Sequence, residues 1–192
     1  MGGVMTYNAL HAKMLANAFD FSGYTDMLDL GGLSSAFAVE AMRTNPQLRT
    51  TFVFDPEMLG FVTGHLAESG FDSRSTVVGL PTATAAPEGS HDLVMVNHVI
   101  HRFTAEENLQ ILKNARGAAA DGATLLLLDF YLDDDERQRA IDALHAGEYL
   151  VIDGTVVWPQ SEVEGWLAAS GWSPVETLAL EGSPRVIVAR AV

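Results

Sequence analysis

Two short, nearly continuous apolar runs constrain this chain most: DLVMVN at residues 92–97 and TLLLL at 124–128. A strand with one wet face alternates polar and apolar residues. A strand apolar on both faces must be covered on both sides, as in a parallel sheet between two helix layers. The rest of the pattern agrees, because strand-like and helix-like segments alternate from residue 26 to 170. Strands are predicted at Asp26 to Leu30, Thr50 to Phe54, Ser75 to Gly79, Asp92 to Asn97 and Thr124 to Leu128. Helical spacing marks Tyr7 to Phe19, and a second helix capped by Ser34 or Ser35 ends near Asn45-Pro46. Asp55-Pro56 opens a third helix that runs to about Gly70. Thr104 to Glu107 reads as a capping box for a helix from Ala105 to about Ala119. Asp133 to Leu144 and Ser161 to Ser170 are predicted as the last two helices, with Trp166 and Leu167 facing inward. Residues 80–90 read as loop and Asp121-Gly122 as a turn. Two closing strands, Val175 to Leu180 and Arg185 to Ala189, join through Gly182-Ser183-Pro184 and add an antiparallel strand at or near one edge. Residues 1–22 are expected to form an N-terminal helix and residues 23–192 one α/β domain.

Composition mainly excludes partners. The chain has 192 residues, a net charge of −14 and only 11 Lys and Arg, which are scattered. Such a surface repels polyanions, so no nucleic acid and no anionic membrane is expected as a partner. The apolar runs fall far short of a membrane helix, and no segment has the pattern of a secretory signal. The absence of cysteine removes disulfides, thiolate chemistry and Cys-based zinc sites. A cytoplasmic location fits best. The start MGGVMT matches a loose myristoylation pattern through Gly2 and Thr6, but an added or upstream start ahead of Met5 is the plainer reading.

In an open parallel sheet, ligands bind beyond the carboxyl ends of the strands. Three segments there carry chemistry. LDLGGLSS (residues 28–35) places glycines where a ligand can approach the backbone and a helix start offers free N–H groups; a plain βα turn is the bland alternative. Asp55 ends the second strand and can take both hydroxyls of a ribose, or merely cap the following helix. In MVNHVIHRF (residues 95–103), His101 follows a buried strand and can take a proton from a hydroxyl. Asp129, at the end of the neighbouring strand, can orient that imidazole and stabilise its charged form. The bland alternatives are a structural histidine and a solvated strand end. His98 lies three residues before His101, but two histidines without a third ligand make a poor metal site, so no metal is expected. Phe103, Tyr131, Tyr149 and Trp158 are candidates to line an apolar acceptor pocket.

From about Phe19 onward the chain resembles the catalytic domain of S-adenosylmethionine-dependent class I O-methyltransferases of the small-molecule type. FDFSGYTDMLDLGG, TTFVFDP and HDLVMVNHVIHRFTAEENLQILKNARGAAADGATLLLLDF carry the resemblance, with YLVIDGTVVWPQSEVEGWLAASGW after them. It implies a Rossmann-like, seven-stranded, mostly parallel sheet with a C-terminal antiparallel hairpin. It places Asp29, Gly31 and Gly32 under the methionine part of the cofactor and Asp55 on the ribose. It makes His101 the general base and Asp129 one of its two supporting acids. Arg102, Phe103 and Trp158 fall on the acceptor side. The sequence departs from the family at several points. Leu33 and Ser35 replace two spaced glycines, Leu80 the acid near the adenine, and Asn97 a common lysine. Arg102-Phe103 replaces Asp-Trp, and Val156 or Val157 the second supporting acid.

The resemblance implies methyl transfer to a hydroxyl of a small aromatic or polyketide-like natural product. Two alternatives share the fold: a non-catalytic partner subunit, and a cyclase or rearrangement catalyst in which His101 and Arg102 polarise a substrate. The family's usual N-terminal dimerisation domain is reduced here to one helix, which could serve homo- or hetero-oligomer formation.

Overall fold

The computed structural model describes the backbone of residues 2–192 other than 136 and 183, with side chains from Tyr7 onward. The side chains of the MGGVMT start and the Ser183 position of the closing hairpin lie outside the described residues. The helices are α1 (Gly2–Ala18), α2 (Ala36–Thr44), α3 (Leu59–Ser69), α4 (Ala105–Gly117), α5 (Ala140–Ile152) and α6 (Gln160–Ala169). The strands are β1 (Asp26–Leu30), β2 (Arg49–Phe54), β3 (Ser75–Gly79), β4 (His91–Asn97), β5 (Ala119–Asp129), β6 (Trp172–Ala179) and β7 (Arg185–Ala191).

All seven strands form one sheet in the order β3-β2-β1-β4-β5-β7-β6. The first five pair in parallel, and β7 pairs antiparallel with both β5 and β6. This is the seven-stranded, mostly parallel sheet with an antiparallel closing hairpin. The strands apolar on both faces are the reason. Leu125, Leu126, Leu127 and Leu128 are all fully buried, and alternate members feed two separate core clusters. Each buried leucine stabilises the fold by about 1.5–3 kcal/mol relative to exposure. Strand order reverses between β1 and β4, so the crevice at their carboxyl ends is the expected ligand position.

Several local expectations are corrected. Residues 133–135 and 137–139, expected as part of a helix, are irregular, and the helix begins at Ala140. Gln138 folds back: its amide oxygen accepts the Asp133 N–H at 2.8 Å, and its nitrogen donates to the Asp135 carbonyl at 2.7 Å. Side chains thereby take the backbone groups a helix would need. Asp121-Gly122 lies within β5 rather than before it. The β4–β5 ladder jumps from His91↔Ala119 to Leu93↔Thr124, and the intervening residues bulge with Gly122 at φ +72°. Neither Ser35 nor Asp55 caps its helix through its side chain; both are engaged elsewhere. The Thr104–Glu107 capping box is present in full.

Candidate active site

The glycine turn after β1 is built by Gly31, whose φ of +77° a side chain would strain. A Cβ at Gly31 would stand 2.3 Å from Thr82 Cγ2, and one at Gly32 would stand 3.4 Å from the Asn97 carbonyl. Asp29 pairs with Met95 across the β1–β4 ladder. Asn97, two residues on, shares that face of the sheet. Both are buried, and Asp29 Oδ2, Asn97 Oδ1 and Asn97 Nδ2 have no hydrogen-bond partner. Burial pushes the Asp29 carboxyl up to about 8.

Asp55 accepts two hydrogen bonds from one residue: Thr82 N–H at 2.9 Å and Thr82 Oγ1–H at 3.0 Å. Arg102 adds a guanidinium 3.6 Å from Asp55 Oδ2 and donates to the Gly31 carbonyl at 2.9 Å. Burial pulls the Arg102 guanidinium down from its ordinary value, with Asp55 and Asp129 acting in the other direction. Thr82 belongs to the 80–90 loop and is almost fully buried; nothing in its sequence context distinguishes it from its neighbours. Leu80 is half-buried against the core.

His101 lies on a short 3-10 turn, Ile100–Arg102, just after β4. Its Nδ1 is 2.9 Å from Asp129 Oδ1 and 3.1 Å from Oδ2. Burial alone would raise the Asp129 carboxyl. The charge and hydrogen bond of His101, with the nearby His98 ring acting in the same direction, outweigh it and hold Asp129 well below the usual carboxylate range. The Tyr149 ring lies 4.6 Å from the His101 ring. Val156 donates its N–H to the His101 carbonyl at 3.2 Å, so the segment where the resemblance implies a second acid does reach His101, but with valines. Two further histidines, His11 and His145, join the cluster. His98 Nε2 is 3.1 Å from His11 Nδ1, and Tyr7 OH on the same helix α1 is 3.1 Å from His145 Nε2.

The acceptor-side candidates divide. Tyr149 packs on His101. Phe103 is half-buried, with the Arg102 guanidinium 5.2 Å from its ring centre. Arg102 itself faces Asp55 and the glycine turn. Tyr131 is fully buried and donates to the Leu127 carbonyl at 2.9 Å, a core position. Trp158 donates its indole N–H to the Ile100 carbonyl at 3.0 Å and packs edge-on against Trp166.

Residues 1–173 match the O-methyltransferase domain family. The chain belongs to that family. It is 29% identical over 177 residues to 3-hydroxy-5-methyl-1-naphthoate 3-O-methyltransferase of Streptomyces sahachiroi, covering 92% of this chain and 51% of that protein. It is 27% identical over 191 residues to the tetracenomycin polyketide synthesis 8-O-methyl transferase TcmO of Streptomyces glaucescens, covering 99% and 56%. The fold superposes on mitomycin 7-O-methyltransferase MmcR with a TM-score of 0.88 at 24% identity, covering 97% of this chain and 54% of that one. This O-methyltransferase domain thus spans about half the length of the relatives it matches. No helix among its described residues is long and apolar enough to cross a membrane.

Proposed function

We propose that this chain is the catalytic part of an S-adenosylmethionine-dependent O-methyltransferase. Its acceptor is a hydroxyl of a small aromatic or polyketide-like molecule, with His101 as general base. The observation that carries this reading is the His101–Asp129 contact, placed at the carboxyl ends of β4 and β5 beside the glycine turn. With Nδ1–H donated to Asp129, the other ring nitrogen is the one that takes a proton. Asp129 fixes the tautomer and stabilises the imidazolium that forms. The names of the two curated relatives, a naphthoate 3-O-methyltransferase and a polyketide 8-O-methyl transferase, support the acceptor class.

The residues present suit the cofactor. Asp29 and Asn97 offer buried, unpaired acceptors and donors for the amino-acid end. Asp55 already takes two donors from Thr82, as it would take two ribose hydroxyls. Gly31 and Gly32 leave the backbone open once Thr82 withdraws. When bound, the cofactor supplies an electrophilic methyl on a sulfonium sulfur. The chain's own residues align the acceptor and receive its proton. His101 does the latter, and Tyr149 shields it from one side. The 80–90 loop, whose Thr82 sits on Asp55, is the segment that must yield.

One observation favours a second reading, a non-catalytic partner subunit: Thr82 and Arg102 together engage both Asp55 and the Gly31 carbonyl. Calorimetric titration with S-adenosylmethionine separates the two. Micromolar binding that disappears in Asp55→Ala supports the enzyme. No binding at millimolar ligand overturns it and leaves the partner reading. Where binding holds, His101→Ala assayed on a naphthol-type acceptor tests the base.

A further inference from the structure

The fold supplies what the spacing of His98 and His101 lacked, a third ligand. Asn97 pairs with Leu128 across the β4–β5 ladder, which brings Asp129 beside both histidines. One ring nitrogen each of His98 and His101 and a carboxylate oxygen of Asp129 lie within 4.8 Å of one another, all three residues buried. Asp129 Oδ1 is 2.9 Å from His101 Nδ1 and 3.7 Å from His98 Nδ1. A tetrahedral site with metal–ligand bonds of about 2.0–2.1 Å has edges of roughly 3.3 Å, which these two separations bracket.

Three features of His98 point the same way. Its Nδ1 is buried without a hydrogen-bond partner. Among the described residues it is the one non-glycine with positive φ, at +53°, a conformation that survives only where the surroundings hold it; its N–H donates to the Leu128 carbonyl at 2.8 Å. Its other nitrogen, Nε2, meets His11 Nδ1. A ligating histidine typically gives its second N–H to such an outer partner.

We propose that His98, His101 and Asp129 form a site for one divalent transition-metal ion of the zinc type, and that the ion and the base proton exclude each other there. The ion takes the lone pair of His98 Nδ1, a carboxylate oxygen of Asp129, and the His101 Nδ1 lone pair freed when that ring's single proton moves from Nδ1 to Nε2. The neutral ring loses no proton in this exchange, and water fills the remaining position. His101 then keeps its only proton on Nε2 and has no lone pair for an acceptor hydroxyl. Metal therefore switches the base off; this last step rests on the methyltransferase reading, whereas the binding does not.

The test uses chelator-treated protein and cobalt(II) as the probe, read by its visible absorption without cofactor or acceptor. The expected result is one-to-one binding with the intense bands of a four-coordinate ion. His98→Asn, which tolerates the left-handed backbone, and Asp129→Asn should each weaken it by at least roughly tenfold, while His65→Gln leaves it unchanged. His98→Gly serves if His98→Asn does not fold. Nitrogen-15 NMR of the wild-type imidazoles on zinc addition needs no variant, and both Nδ1 resonances should shift. Absence of binding at millimolar cobalt, binding indifferent to His98→Asn, or imidazole shifts confined to other histidines overturns the site. Zinc that binds here yet leaves methyl transfer unaffected overturns the switch alone. A protein that binds cobalt as expected but never binds S-adenosylmethionine keeps the site and loses the enzyme.

Discussion

His101 Nδ1 touches both oxygens of Asp129, at 2.9 and 3.1 Å, and Asp129 has no solvent exposure at all. A buried carboxylate is costly unless a partner offsets its desolvation. The imidazole is that partner, so the pair is coupled in stability as well as in chemistry. Asp129→Asn keeps the shape and removes the anion. General-base contributions are worth about 10²–10⁴-fold. We therefore expect the methyl-transfer rate to fall within that range while S-adenosylmethionine affinity, measured by calorimetry, stays the same. An unchanged rate would remove His101 from the proposed role.

Asp29 gives a pH signature. Its folded pKa, about 8, lies above that of an unfolded aspartate. The folded state therefore holds a proton that the unfolded state has released. The associated stability is complete below about pH 4 and is lost as pH rises through about 8. At about 1.4 kcal/mol per unit, the loss is a few kcal/mol at most. Asp29→Asn should flatten it. Urea unfolding of both proteins at mildly acid and mildly alkaline pH checks this, and parallel curves would refute it.

Thr82 holds its backbone and hydroxyl donors on Asp55 and its methyl above Gly31, where the proposed function calls for a ribose. Thr82→Gly removes the methyl and one of the two donors. A typical hydrogen bond contributes about 0.5–1.5 kcal/mol net, so S-adenosylmethionine should bind up to roughly tenfold tighter. Weaker binding in the variant would mean that Thr82 contacts the ligand instead of standing in its place.

Asp142 is the one buried residue of α5. It accepts from Arg139 Nε at 2.8 Å and from Arg185 Nη2 at 2.7 Å. Arg185 also pairs with Asp133. Removing one partner of a buried ion pair costs up to about 3–5 kcal/mol, and Arg185 keeps Asp133 as a partner when Asp142 is lost. Asp142→Ala should lose up to that much in denaturant unfolding. A loss below about 1 kcal/mol, the range of exposed pairs, would show that water reaches Arg185.

The sheet was legible because strands apolar on both faces admit few other architectures, and the Thr104–Glu107 box marked a helix start through its own chemistry. Long-range polar bonds were the illegible part. Residues 133–139 have helical composition, yet Gln138 takes the backbone groups that a helix needs. In α5 the apolar pattern misleads, since Leu144, Leu150, Val151 and Ile152 are exposed and the charged Asp142 is inside. Within the site, Asp55 and His101 stood out by position at strand ends. Thr82 and His11 did not, because their partners are distant in sequence and each becomes distinctive only through the atom it meets; His98 was visible beside His101, but its third ligand was not.

The placement of β7 between β5 and β6 has a consequence for how the molecule is made. β5 is long and apolar, and one of its edges is complete only when β7 docks. During synthesis that edge stays open until α5, α6 and β6 have all followed it. An open apolar edge invites pairing with another chain, and contacts so far apart in sequence form slowly. The interval between β5 and β7 is therefore when a nascent chain is most exposed to aggregation. Chaperone dependence and expression temperature should matter more for this half of the sheet than for the parallel half that precedes it.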